Sequence, residues 1–532
     1  AGGLGGSGVL TSYGNGRLQL TGNNTASNVD LWIWNRGSNS VTNNPQVTLD
    51  AGVGNAVGGD IYLGNANFGG NGYAVLWLAQ GRLNQDQIAD SSTLIFGGVS
   101  GRWSYFNLMG GNETVARIID MSAGAVIQNM GSETVDTNSV LTVNGALDSY
   151  ISGHLRDSSE SVGIGTLGLI KEGAGKLVLT GGNIRYTGAT VVNAGRLELV
   201  NTTNFASALT VNPGGTLRLT RTANSNLNFD DVISGGGTLE INATGGNASA
   251  ITLQSSGNDI GTLRLMQGGF AVSGSGNTFG DIDVGGDEVT QNFDLTLSGS
   301  NTISGSLSVT GDFGGTLSQV TIAGSNPILG TVSLTHATMR LQGNGQIGSP
   351  STITIAGRAG VSGEFVFDNG SVSNANRVGD ATAFLSKGGT LNYIGGGGTN
   401  ETLAALQLQQ GELRMASSGT GVLTFSSGTT RVLGSTLNVT RTDIGAACKI
   451  LFGTAPALDD GIIAGGWATV GNEWATYGAG GVTAFSGYVT DQAPATWTSS
   501  SNVKIDTVNP SALASDTIIN SLNMTTTNTQ NR

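Results

Sequence analysis

The residues in this chain best able to do chemistry are its clustered carboxylates. In Gly280-Asp281-Ile282-Asp283-Val284-Gly285-Gly286-Asp287-Glu288, four acids stand in a Gly-rich turn. Asp281, Asp283, Asp287 and Glu288 are oxygen donors of the kind Ca²⁺ favours. Their spacing matches neither an EF-hand loop nor the Gly-Gly-x-Gly-x-Asp nonapeptide. Glycoside hydrolysis is the other chemistry open to paired acids, and it needs two carboxyls roughly 5–9 Å apart on one face. Asp281 and Asp283 share a face if they lie in a strand, whereas the neighbours Asp230-Asp231 and Asp459-Asp460 do not. His154 and His336 are the only histidines, too far apart in sequence to suggest a metal pair and expected at the surface or in turns. Gly-x-Ser-x-Gly, the nucleophile elbow, does not occur. These observations lead us to expect no catalytic residue, no cofactor and no metal beyond the weak Ca²⁺ set, with solvated turn acids as the simpler reading.

The composition limits the scaffold that could carry such residues. Among 532 residues there are 88 Gly and 7 Pro, and charged residues make up 11%. The formal net charge is −13, and no Lys/Arg cluster offers a nucleic acid a face on which to release counterions. No apolar stretch approaches the ~20 residues of a membrane-spanning helix. The single Cys448 permits no disulfide within the chain. The start at Ala1-Gly2-Gly3, with neither Met nor an apolar leader, reads as a mature end after signal removal.

Helical periodicity is nearly missing, and short alternating runs such as Leu177-Val178-Leu179 and Leu217-Arg218-Leu219 predict strands with one buried face. The pattern Gly-x-Leu-x-Leu (or Ile) begins at Gly175, Gly195, Gly215, Gly237 and Gly261. Fainter copies begin at Gly305, Gly330, Gly411 and Gly421. A period near 20 is too short for a propeller blade of ~40 and fits one coil of a solenoid. Stacked in parallel, Glu198, Arg218, Glu240 and Arg264 would form an outward ladder of alternating sign, with Thr216, Thr238 and Thr262 as a hydroxyl ladder beside it.

Residues 161–200, SVGIGTLGLIKEGAGKLVLTGGNIRYTGATVVNAGRLELV, resemble the autotransporter-associated β-strand repeat of bacterial surface proteins. Lys171, Gly173, Gly175, Leu177, Leu179, Tyr186, Thr187, Gly188, Thr190, Asn193, Ala194 and Gly195 carry the resemblance. It implies an all-β chain folded as a right-handed parallel β-helix in a secreted, extracellular or cell-surface bacterial protein. Residues 463–522 are more weakly similar to a segment of very large bacterial proteins bearing the same repeat.

We therefore expect solenoid coils of about 20–24 residues each. They fall in three zones. Residues 1–160 form irregular, aromatic-containing coils, 161–445 the regular solenoid, and 446–532 a cap with a polar, strand-like tail. The aromatics Trp32, Trp34, Trp77, Trp103 and Tyr105 read as core of the irregular zone, with sugar stacking as the alternative. Lys171 is expected to lay its stem on apolar surface and its ammonium in solvent. Unpaired strand edges at both ends, carrying Val9, Leu10, Leu18 and Leu20 at one and Ile518, Ile519 and Leu522 at the other, would template another copy. The leading expectation is a structural subunit that partners itself head to tail in a filament or matrix. The alternatives are an adhesin binding surface glycans and, behind it, a polysaccharide-cleaving enzyme.

Overall fold

The computed structural model of the chain describes residues 4–34, 45–64, 73–81, 86–98, 102–130, 137–158, 165–245, 250–285, 293–311, 318–358, 361–441, 448–506, 513 and 516–525. Among these residues there is no α-helix. The architecture is a parallel β-solenoid, and the chain divides into two compact units, residues 1–280 and 281–532.

In the first unit each coil lays a strand on a first sheet, as in Asn28–Trp34, Lys176–Thr180, Gly195–Val200, Gly215–Arg221 and Thr238–Ala243. A second, seven-stranded sheet runs from Arg17–Leu20 to Ile184–Arg185, and a third, six-stranded sheet from Asn112–Val115 to Ile233–Ser234. The register shows why these residues make strands. Leu177, Leu197, Leu217, Leu239 and Leu263 are partners in successive coils. None is more than 1% exposed, so the alternating leucines form a continuous inward stack. Each buried leucine contributes roughly 1.5–3 kcal/mol. Asparagines inside the turns close them by pairing between coils, as where Asn258 Nδ2 donates to Asn277 Oδ1 at 2.8 Å.

The coils before residue 160 are longer than expected. Leu31, Ile61 and Leu94 are register partners in successive coils, and they stand further apart in sequence than Leu177, Leu197 and Leu217.

The second unit has the same plan with a more aromatic core. Phe365 packs at 5.1 Å from Phe367 and 6.0 Å from Phe384, and all three are fully buried. The strands after Gly411 (Glu412–Ser418) and Gly421 (Gly421–Phe425) fall in different sheets. The Gly-x-Leu-x-Leu pattern therefore marks entry into a strand on any face rather than one coil per copy. Past residue 456 the parallel stacking is interrupted by antiparallel hairpins, Leu458–Asp459 with Ile462–Ile463 and Glu473–Gly478 with Gly481–Ala484. It resumes in Val489–Thr490, Asn502–Ile505 and Ser521–Met524, where the expected polar tail supplies a further parallel strand.

Candidate binding face

Alternation along a strand sends every second side chain outward, and in the first unit the register collects these outward residues into rows. One row on the first sheet runs Trp32, Tyr62, Ile95, Ile119, Tyr150, Val178 through consecutive coils. It continues as Glu198, Arg218, Glu240 and Arg264. Its first stretch is apolar yet only half-buried, with Tyr150 38% exposed. Trp32 and Tyr62 lie 5.0 Å apart with tilted rings, and Tyr13 meets Trp34 edge-on at 5.0 Å. The inward positions of this strand are Leu31 and Ile33, at 1% and 0% exposure. The core role expected for Trp32 and Trp34 is thus replaced by an outward one, because the smaller residues between them take the core side.

Two residues earlier in each strand, a polar row runs alongside, containing Asp30, Asp60, Thr93, Arg117, Asp148 and Lys176. One carboxylate oxygen of each acid is engaged in ordering the stack. Asp30 Oδ1 accepts from Asp60 N at 2.9 Å, Asp60 Oδ1 from Thr93 N at 2.7 Å and Asp148 Oδ1 from Lys176 N at 3.2 Å. Lys176 also bridges Asp148 at 3.4 Å and sits 5.4 Å above the Tyr150 ring.

The outer face of the second sheet differs. Val75 and Val126, outward partners of Tyr105, are 7% and 1% exposed and so are covered from outside. Trp103 stands edge-on to His154 at 4.8 Å. Burial, followed by Arg156 and Arg185, holds the His154 imidazole below its usual value. Trp77 is half-buried on the same outward side.

The predicted charge ladder pairs unevenly. Glu240 takes Arg218 at 2.8 Å and Arg196 at 3.5 Å, whereas Glu198 accepts the Thr220 hydroxyl at 2.7 Å. Asp281 and Asp283 lie on the outward side of Thr278–Val284, and Asp281 Oδ1 accepts from Ser306 N at 2.8 Å. Asp287 and Glu288 lie outside the described residues. Burial and Asp230 push the Asp231 carboxyl up to about 6. His336 is in the left-handed region (φ 52°) and is buried at 1% exposure, not at the surface, because it turns the chain between two strands against the core.

The repeat motif is packed inside. Lys171 is 1% exposed, and its ammonium donates to the carbonyls of Glu172, Gly173 (2.8 Å) and Ala194 (3.4 Å). It thereby ties two stacked turns together, and the solvent-facing ammonium expected for it is not seen. Burial brings this amine down to about 8. The Tyr186 hydroxyl pairs with Thr190 Oγ1 at 2.7 Å, and Thr190 with Ser207 Oγ at 2.7 Å. Gly173 has φ 67°, and a Cβ there would lie 1.9 Å from Asn144 O.

A pair of buried glutamates escapes the sequence reading although its letters repeat. Asn112-Glu113-Thr114 and Asn400-Glu401-Thr402 each place a buried glutamate against the turn of the preceding coil. Glu113 accepts from Gln87 N (3.0 Å) and Ile88 N (3.1 Å), and Glu401 accepts from Arg377 N and Val378 N, both at 3.0 Å. Arg377, 0% exposed, donates to the carbonyls of Gly343, Gly345, Asp368 and Val372 and to Asn369 Oδ1. The available signal is the recurring Asn-Glu-Thr, each copy one coil after an Asp86-Gln87-Ile88 or Asn376-Arg377-Val378 turn.

Residues 169–199 match the passenger-associated-transport-repeat family. They run from the strand Leu167–Lys171 to the strand Gly195–Val200, more than one turn of the solenoid, since Leu169 pairs with Thr190 and Leu177 with Leu197 of the next coil. No curated protein and no solved structure matches the chain. Among the described residues no helix is long and apolar enough to cross a membrane.

Proposed function

We propose that the chain is a non-enzymatic structural module of a secreted or surface-displayed bacterial protein that joins further copies of itself head to tail by strand addition. The observation that carries this is at Ser521–Met524. Leu522 and Met524 hold the inward positions over Val503 and Ile505, yet they are 43% and 41% exposed where those partners are 0% and 6%. Ile518 beside them is 77% exposed. The first coil offers a matching surface. Leu10, Leu18 and Leu20 are half-covered where their partners in the next coil, Leu31, Val47 and Leu49, are buried, whereas Val9, 51% exposed, pairs with Asp30 on the outward side and is not part of this edge. Among the described residues Ser7–Tyr13 and Arg17–Leu20 each pair on one edge, with Asn28–Trp34 and Gln46–Leu49. A parallel strand added at such an edge satisfies its backbone groups and covers its open leucines together.

The test is negative-stain microscopy and sedimentation of the 532-residue chain beside Leu522→Arg/Met524→Arg and a chain ending at residue 510. Assemblies in the parent that both changes reduce to monomers are expected. Monomers in all three samples would overturn the reading.

A further inference from the structure

We propose that the outward face of the first sheet in residues 1–280 binds a neutral glycan laid along the stack of coils. This goes beyond self-association and uses none of its edge residues. The apolar row from Trp32 to Val178 and the polar row from Asp30 to Lys176 run side by side. They are two residues apart along each strand, or ~7 Å, and each repeats at about 4.8 Å from coil to coil. A sugar chain has the complementary character, with C–H faces that rest on aromatic and branched side chains and a rim of hydroxyls. Trp32 and Tyr62 offer adjacent rings tilted by 51° to one another, whereas Lys176 already lies over Tyr150.

Charge selects among ligands. The polar row holds three carboxylates (Asp30, Asp60, Asp148) and two cations (Arg117, Lys176) along its length. A polyanion would meet the acids and a polycation the bases. Hydroxyls donate to the first and accept from the second, so an uncharged polyol uses the whole row. The second sheet of the same unit lacks such a stripe because Val75 and Val126 are covered.

The probes are cellohexaose, laminarihexaose and hexa-N-acetylchitohexaose, with heparin as the polyanion, titrated into the 532-residue chain and followed by calorimetry and tryptophan fluorescence. At least one neutral hexaose is expected to bind. Trp32→Ala and Tyr62→Ala should each weaken it ~10-fold, while Arg264→Ala, in the charged part of the row, leaves it unchanged. Circular dichroism checks that the variants fold, and Trp32→Phe should recover part of the affinity. Failure of all three neutral hexaoses, binding of heparin alone, or binding indifferent to Trp32→Ala and Tyr62→Ala would overturn the assignment. Loss of self-assembly with glycan binding intact would not.

Discussion

Replacing Glu401 by Gln tests whether a buried carboxylic acid locks one coil to the next. Glu401 is 0% exposed, and its two oxygens each accept one backbone N–H, from Arg377 and Val378. Burial outweighs those two donors and the nearby guanidinium, and pushes the carboxyl from 4.5 up to about 7. A folded value above the unfolded one means that the folded coil prefers the protonated acid. That contribution is complete below about 4.5 and is lost as pH rises through about 7. The difference corresponds to at most about 3 kcal/mol. Gln keeps one acceptor but turns an NH₂ toward the other N–H, leaving a buried donor unpaired at about 1–3 kcal/mol.

Hydrogen exchange at the amides of residues 377 and 378 reads this locally, where global unfolding of a solenoid would average it away. At pH 5, Glu401→Gln should speed their exchange relative to the parent by ~10–100-fold. At pH 8 the parent must bury a carboxylate and is itself weakened, so the gap between the two proteins narrows. Comparing them at one pH cancels the intrinsic pH dependence of exchange. A gap that is constant or wider at pH 8 would refute the account, since burial would then not govern this carboxyl.

Two further expectations concern the repeat. Lys171 has a folded value lowered from 10.5 to about 8 by burial, so stability is lost as pH falls between those values and regained as it rises. Thermal melting between pH 7 and 10 should show that rise in the parent and a flatter profile in Lys171→Met, and identical profiles would exclude the role. Gly173→Ala must place a Cβ against Asn144 O in a left-handed backbone, and should cost at least ~2 kcal/mol in urea unfolding. A change under ~0.5 kcal/mol, the range of surface substitutions, would show that the turn relaxes freely.

The inward half of this fold is legible in the sequence because it rests on two features visible as letters. The alternation places leucines on one side, and the glycine before each strand allows close passage of the preceding coil. The register of Leu177, Leu197, Leu217, Leu239 and Leu263 can thus be read from the spacing of the glycines that precede them. Before residue 160 the turns vary in length, and nothing in the letters announces that Trp32 stacks on Tyr62 of the next coil. Lys171 and Arg377 are illegible for another reason. Apart from Asn369 Oδ1 on Arg377, their partners are main-chain carbonyls, which every residue possesses and no side-chain pattern reveals.

The outward half follows a different constraint. An inward position must be apolar, or have its polar group paired internally as Lys171 and Thr190 do, since each caps the core of its neighbours, whereas an outward position need only avoid repelling the coils beside it. The row that is Glu198, Arg218, Glu240, Arg264 in the regular coils satisfies that constraint with charge. The same row from Trp32 to Val178 satisfies it with apolar groups that remain half-exposed, although threonine or charge would serve the stack equally well. Stacking therefore explains why neither stretch repels itself, but it does not explain why large rings stand in the first. Leu31 and Ile33 already fill the core beneath Trp32 and Trp34. An apolar surface that the core does not require, bordered by donors and acceptors in the same register, is the observation behind the proposed glycan face, and the hexaose titrations test that proposal directly.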